Sequence, residues 1–122
     1  MTNILGIKFG GHDTAAALLI DGELIAACAQ ERYTHDKHSR RFPKEAANDC
    51  LRIGGISINQ IDEIAFVNDL RTYIREIYLR PALTSNDRMD FLFKDIDRVL
   101  RSHNMDSIIR ENLNYTGKIN YY

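Results

Sequence analysis

The stretch Ala15–Ala29 constrains this chain more than any other: two apolar runs, Ala15 to Ile20 and Leu24 to Ala29, meet at Asp21-Gly22. An Asp-Gly pair between apolar runs favours a type I′ turn, whose two central residues need positive φ and whose twist suits the flanking strands. The spacing therefore predicts a β-hairpin turning at Asp21-Gly22. Both arms are apolar throughout instead of alternating, which predicts a sheet covered by helices on both faces.

The neighbouring segments extend this unit. Asn3 to Phe9 is apolar and β-branched and runs into Gly10-Gly11, a strand followed by a tight loop. After the hairpin, Glu31 to Phe42 is a polar loop. Pro43 suits a first helical turn, Ala46, Ala47, Cys50, Leu51 and Ile53 follow at helical spacing, and Gly54-Gly55 ends the helix. Ser57 to Asp62 is a connection with a cap of its own, and Ile61 to Val67 predicts a fourth strand ending near Asn68-Asp69. The predicted order is β-β-β-α-β. Beyond Leu70, apolar residues recur at helical spacing, which predicts two or three helices with a break from Pro81 to Asn86. Thr116-Gly117 is a turn, and Lys118 to Tyr122 has strand composition.

Composition narrows the possible functions. At 122 residues the chain matches one domain or part of one, since domains commonly run about 100 to 150 residues. With 16 Lys+Arg against 17 Asp+Glu and a net charge of -1, bulk charge offers nucleic acid nothing, so no nucleic-acid partner is expected. Cys28 and Cys50 lack C-x-x-C spacing and read as buried thiols of a reducing compartment. The N-terminus has no basic, apolar and small-residue leader pattern. No apolar run approaches the roughly 18 residues of a membrane span, so the expectation is a cytoplasmic protein without a membrane partner.

Two clusters could carry chemistry. In Gly10-Gly11-His12-Asp13-Thr14, the glycine-rich turn could present N–H groups to an oxyanion. His12 beside a carboxylate is a candidate general base. A plain hairpin loop accounts for the same residues equally well. The second cluster, Glu31 to Pro43, gathers Arg32, Lys37, Arg40 and Arg41 in one loop. It can bind phosphate or shield developing charge, or be a solvated surface run. His35 and His38 lie three apart with no third ligand at metal spacing, and no metal site is predicted there. Tyr73, Tyr78, Phe91 and Phe93 read as packing residues and His103 as a helix surface residue.

At these two clusters the sequence resembles the NodU/CmcH-type carbamoyltransferases. The matching residues are His12-Asp13-Thr14-Ala15-Ala16-Ala17, Asp21-Gly22, Glu31-Arg32-Tyr33-Thr34, Lys37-His38 and Phe42-Pro43, with order and spacing agreeing. The match continues more loosely to Ile61-Asp62 and covers about the first 68 residues. The resemblance implies an α/β fold of the actin/hexokinase/Hsp70 superfamily, related to the proteins of threonylcarbamoyl-adenosine synthesis. The expected fold is a partial ribonuclease-H-like mixed sheet: a three-stranded antiparallel meander, then helix, strand and a helical region.

In that family a YrdC-like domain makes carbamoyl-adenylate from carbamoyl phosphate and ATP, and the domain resembled here transfers the carbamoyl group to a hydroxyl of a small acceptor. The resemblance assigns His12 the deprotonation of the acceptor and makes Asp13, Thr14, Glu31, Arg32, Lys37 and His38 candidate substrate-binding residues. ATP and a divalent metal, iron, are implied for the longer parent. Two departures stand out. Gln30 replaces a family glutamate, and the family's H-H-x-x-H-A metal motif, which follows a strand of the form G-K-I-x-Y, is not in this sequence although Gly117-Lys118-Ile119-Asn120-Tyr121 is. The expectation is an N-terminal fragment of a transfer domain, inactive by itself and able to form a homodimer through an exposed sheet edge. The alternative is a small non-catalytic module that binds a ligand or partner on the same fold. A sugar or acetate kinase is disfavoured because Lys8 and His12 stand where those enzymes carry an acidic residue and glycines.

Overall fold

The computed structural model describes residues 1–67 and 70–122, with the backbone only at 70, 71, 98 and 101–103. The chain divides into two units, Met1–Asn68 together with Ile108–Tyr122, and Asp69–Ser107.

The first unit is built on five strands: β1 (Asn3–Lys8), β2 (Ala15–Ile20), β3 (Glu23–Ala29), β4 (Glu63–Phe66) and β5 (Lys118–Tyr121). Their order in the sheet is β3-β2-β1-β4-β5. β1 to β3 form an antiparallel meander, β4 runs parallel to β1, and β5 runs parallel to β4. This is the ribonuclease-H-like mixed sheet that the resemblance implies. The hairpin turns where expected, with Asp21 at φ 51° and Gly22 at φ 83°, both central residues having the positive φ that a type I′ turn needs. Gly22→Ala should cost about 1 kcal/mol, because a Cβ disfavours that backbone region. A lower urea midpoint with an unchanged slope would show it.

Register places Leu5, Ile7, Ala16, Leu18, Ile64 and Phe66 on one face, and all six are buried. Helix α2 (Lys44–Gly54) packs on this face with Ala46, Ala47, Cys50 and Leu51. It ends at Gly55, φ 67°, whose N–H bonds the Arg52 carbonyl while the Ile56 N–H bonds that of Leu51, a pattern that closes helices at a left-handed residue. Before β4, a 3₁₀ turn (Ile58–Gln60) is capped by the Gln60 side chain, which accepts the Ser57 N–H at 2.9 Å.

The opposite face corrects the expectation of helices on both sides. Ile4, Gly6, Ala15, Ala17, Ala29 and Ala65 are only half-buried and Ala27 is exposed. The strands are apolar on both faces, but on this one the residues are mostly Gly and Ala, which bury little area even when covered. The predicted strand end at Asn68-Asp69 lies outside the described residues. Glu31–Phe42 is not wholly loop, since α1 (Glu31–Thr34) forms one helical turn ending at His35, φ 56°.

The second unit is helical, as predicted, and its break falls within the predicted Pro81–Asn86 span but is confined to Ser85. Helix α3 (Leu70–Ile74) passes through a π-helical stretch (Arg75–Leu79) into α4 (Arg80–Thr84), and Pro81 sits in the first turn of α4. Proline cannot donate a hydrogen bond within a helix. The widened turn, with the Arg80 N–H bonding the Arg75 carbonyl, directly precedes it. The interruption is Ser85, in extended conformation, followed by α5 (Asn86–Lys94), α6 (Ile96–His103) and α7 (Met105–Leu113), which continues into the first unit. Ile74, Tyr78 and Val99 form a small core with Leu92 against it. The Tyr78 ring stacks on Phe91 at 5.1 Å, and its hydroxyl donates to Asp95 at 2.8 Å. Of the four aromatics expected to pack, Tyr78 is buried while Tyr73, Phe91 and Phe93 are exposed, although Tyr73 and Phe91 keep ring contacts with Tyr78. The His103 side chain lies outside the described residues. Among the described residues no helix is long and apolar enough to cross a membrane.

Candidate functional site

The two clusters meet because their flanking aromatics pack together. Phe9, buried just after β1, sits edge-on to Phe42 at 5.0 Å and to Phe66 at 5.1 Å. Phe42 closes the polar loop and Phe66 belongs to the core strand β4, so the contact anchors the base of the glycine loop and the end of the polar loop to the sheet. At the near end, the Gln30 N–H bonds the Thr14 carbonyl at 3.0 Å and ties the end of β3 to the start of β2.

Between these anchors, Asp13 holds two imidazoles. Its Oδ2 lies 3.1 Å from Nδ1 of His12 and its Oδ1 lies 2.9 Å from Nδ1 of His38, 25 residues along the chain. The His12 and His38 rings stand edge to face at 5.8 Å. An ionised carboxylate can only accept, so each Nδ1 carries a proton, and in the neutral ring each Nε2 then has the free lone pair. The bonds from His12 and then His38 hold the Asp13 carboxyl below the ordinary carboxylate value. Asp13 (φ 63°) and His38 (φ 57°) both adopt left-handed backbone, which disfavours a residue bearing a Cβ by about 1–2 kcal/mol. All three side chains are solvent-accessible, with relative exposures of 65% for His12, 49% for Asp13 and 73% for His38.

Beside this trio lies a cavity of about 290 Å³ lined by Lys8, Asp13, Thr14, Ala15, Ala29, Glu31 and Ser39. Thr14 is 3% exposed, and among the described residues its Oγ1 has no hydrogen-bond partner. A buried hydroxyl without a partner carries an uncompensated desolvation cost. Thr14→Val should therefore raise the stability of the chain by about 1 kcal/mol, read as a higher thermal midpoint. An unchanged or lower midpoint would mean that the hydroxyl already has a partner in solution.

The remaining sequence-predicted residues fall outside this group. Arg32 lines a larger cavity of about 670 Å³, together with Tyr33, Cys28 and Asp49. Lys8, Ala15 and Ala29 border both cavities. Lys37 is exposed, and neither it nor Arg32 enters an ion pair among the described residues. Tyr33 donates to Asp49 Oδ2 at 2.5 Å, a bond that raises the tyrosine pKa, with Cys28 adding to the effect. Burial, and then Cys28, push the Cys50 thiol up to about 12, which leaves it a poor nucleophile near neutral pH. Both cysteines are free, Cys50 buried and Cys28 half-buried.

Sequence reasoning missed three participants. Ser39 is buried and its Oγ accepts the Arg41 N–H at 3.3 Å. Lys8 alternates with the buried Ile7 and so turns to the other face of the sheet. Gln30 is 1% exposed, its Oε1 accepts the Ala46 N–H at 3.1 Å, and its Nε2 donates to Glu45 Oε2. Pro43 offers α2 no side-chain cap, so Gln30 satisfies a free N–H of that helix from the neighbouring strand. The only sequence signal for this was the amide at a position where the resemblance expects a carboxylate.

Comparison with known proteins bears on the same region. A protein-family model described as carbamoyltransferase N-terminus matches residues 3–118. Over 66 residues the chain is 48% identical to the uncharacterized protein sll1178 of Synechocystis sp., a match covering 54% of this chain and 11% of that protein. Over 55 residues it is 42% identical to the nodulation protein NolNO of Sinorhizobium fredii, covering 45% of this chain and 8% of that protein. The matched segments are thus a small part of those relatives. Among solved structures, YeaZ from Pseudomonas aeruginosa aligns with 54% of this chain and 29% of its own at a TM-score of 0.41 and 20% identity. The family match spans nearly the whole sequence, and the chain belongs to the carbamoyltransferase N-terminal family.

Proposed function

We propose that this chain supplies the acceptor side of an ATP-dependent O-carbamoyltransferase, with His12 as the general base. One observation carries the reading: Asp13, which holds Nδ1 of His12, also lines a cavity together with Thr14, whose buried hydroxyl has no partner among the described residues. In the proposed step, the acceptor oxygen attacks the carbamoyl carbon of carbamoyl-adenylate, and a new C–O bond forms. The bond from that carbon to the phosphate oxygen breaks, AMP leaves with the electron pair, and the hydroxyl proton passes to Nε2 of His12. Thr14 and Glu31 would bond the acceptor or the carbamoyl group. Arg32 and Lys37, exposed cations without ion-pair partners among the described residues, suit the phosphate of the adenylate.

The ATP and divalent metal implied by the resemblance belong to the H-H-x-x-H-A motif and a second domain. Residues 1–122 include no such motif. The test is a longer protein in which this sequence continues through such a motif and a YrdC-like domain. It should transfer labelled carbamoyl from carbamoyl phosphate to a hydroxylated acceptor only when ATP is present. Thr14→Val should slow that transfer, and His35→Asn, outside the trio, should not. No transfer to any acceptor in a broad panel would overturn the reading in favour of a binding module. Transfer insensitive to Thr14→Val would remove the cavity from it.

A further inference from the structure

We infer that His12, Asp13 and His38 form a binding site for a divalent transition-metal ion of the zinc class, separate from the metal motif that the resemblance implies. One donor atom from each of the three lies within 4.8 Å of the other two. Two imidazoles and a carboxylate are borderline ligands of the kind that hold zinc and its neighbours in the first transition row.

The two separations from Asp13 suit such an ion, and the two imidazole donors lie within 4.8 Å of each other. Zinc bonds to nitrogen and oxygen at about 2.0–2.1 Å, which puts neighbouring donors about 3.3 Å apart in a tetrahedron. The measured separations from Asp13 are 3.1 Å to His12 and 2.9 Å to His38. All three residues are exposed, so small side-chain rotations can bring the second carboxylate oxygen or either imidazole into place, and water can complete the shell. The ion would replace the two Nδ1 protons that now face Asp13. Lys8 and Glu31 line the cavity with Asp13, and their opposite charges offset there. Lys37, beside His38 in sequence, is exposed to solvent, which screens its charge.

A loop built only to turn the chain would not need this convergence. His38 comes from a different loop than His12 and Asp13, and both Asp13 and His38 reach the cluster through left-handed backbone. The inference does not depend on carbamoyl transfer. If both hold, the two states exclude each other, because an imidazole bound to metal through Nδ1 carries its proton on Nε2 and cannot accept another.

The test is titration of the metal-stripped chain with zinc chloride, followed by calorimetry and by imidazole nitrogen NMR. The expected result is one ion per chain, with the ring signals of His12 and His38 shifting and those of His35 and His103 unmoved. His12→Asn and His38→Asn should each weaken binding by about 100-fold, whereas His35→Asn should leave it unchanged. Asparagine accepts left-handed backbone and the replaced side chains are exposed, so both variants keep the fold. No binding, or binding that survives both substitutions, would overturn the site, as would shifts confined to His35 or His103.

Discussion

His12→Asn is expected to lower carbamoyl transfer by about two to four orders of magnitude, the usual contribution of a positioned general base. The loss should fall on kcat more than on KM, because the proton moves only as the acceptor attacks. Stability should change by no more than about 0.5 kcal/mol, the usual range for an exposed side chain outside the core. The expectation follows from hydrogen-bond accounting at Asp13, which accepts from Nδ1 of His12 and so leaves Nε2 as the atom with a lone pair. Asparagine can keep a bond to Asp13 but offers no nitrogen lone pair. Steady-state transfer by the longer protein, measured with labelled carbamoyl phosphate and ATP, gives both constants. A fall of less than tenfold would remove His12 from the base role and leave it to position the acceptor.

Gln30→Glu carries the largest expected effect on stability. The Gln30 side chain is buried, accepts from the Ala46 N–H and donates to Glu45. Glutamate in its place keeps the acceptor but loses the donor, and sets two carboxylates face to face. A buried charge facing a like charge costs about 3–5 kcal/mol. The pH dependence distinguishes this cause from a packing defect. Burial beside Glu45 raises the folded-state pKa of the new carboxyl above its unfolded value of about 4.3, so the folded state binds the extra proton. The penalty is then fully present above the raised pKa, shrinks as pH falls through it, and vanishes below about 4.3.

In the native protein the sign is opposite. Gln30 is the chief cause holding the Glu45 carboxyl below its ordinary value. The stability this bond contributes is present above the unfolded glutamate pKa and is lost as pH falls through the lowered one. Combining Gln30→Glu with Glu45→Gln restores one amide facing one carboxylate, and should recover most of the loss. Urea unfolding of the four variants at pH 7 and at pH 4 reads the cycle. A penalty that is independent of pH would point to packing instead.

The particular residues show why some features were legible and others were not. Asp21-Gly22 between apolar runs left one turn type open, and the hairpin formed there, because positive φ at two successive positions is a local requirement. Gly55 ended α2 for the same kind of reason. Pro81 set the start of the predicted break too early, since proline disfavours the helix interior but is welcome in a first turn, and only the neighbouring backbone decides which applies. The apolar strands suggested two covered faces, yet Gly6, Ala15, Ala17 and Ala65 are small enough to stand half-buried.

At the site, His12 was singled out for the carboxylate beside it in sequence. His38 was grouped instead with His35, its neighbour along the chain, although the structure joins it to His12 through Asp13. Nothing local signals a contact across 25 residues. Local chemistry in the sequence by itself determined the strands, the turns and the presence of a histidine beside a carboxylate in the first loop, because backbone preference and hydrophobic period act over a few neighbours. The tertiary structure decided which loops meet. Sheet register and the packing of Phe9 on Phe42 and Phe66 set that distance, and such long-range contacts leave no periodic trace in the chain.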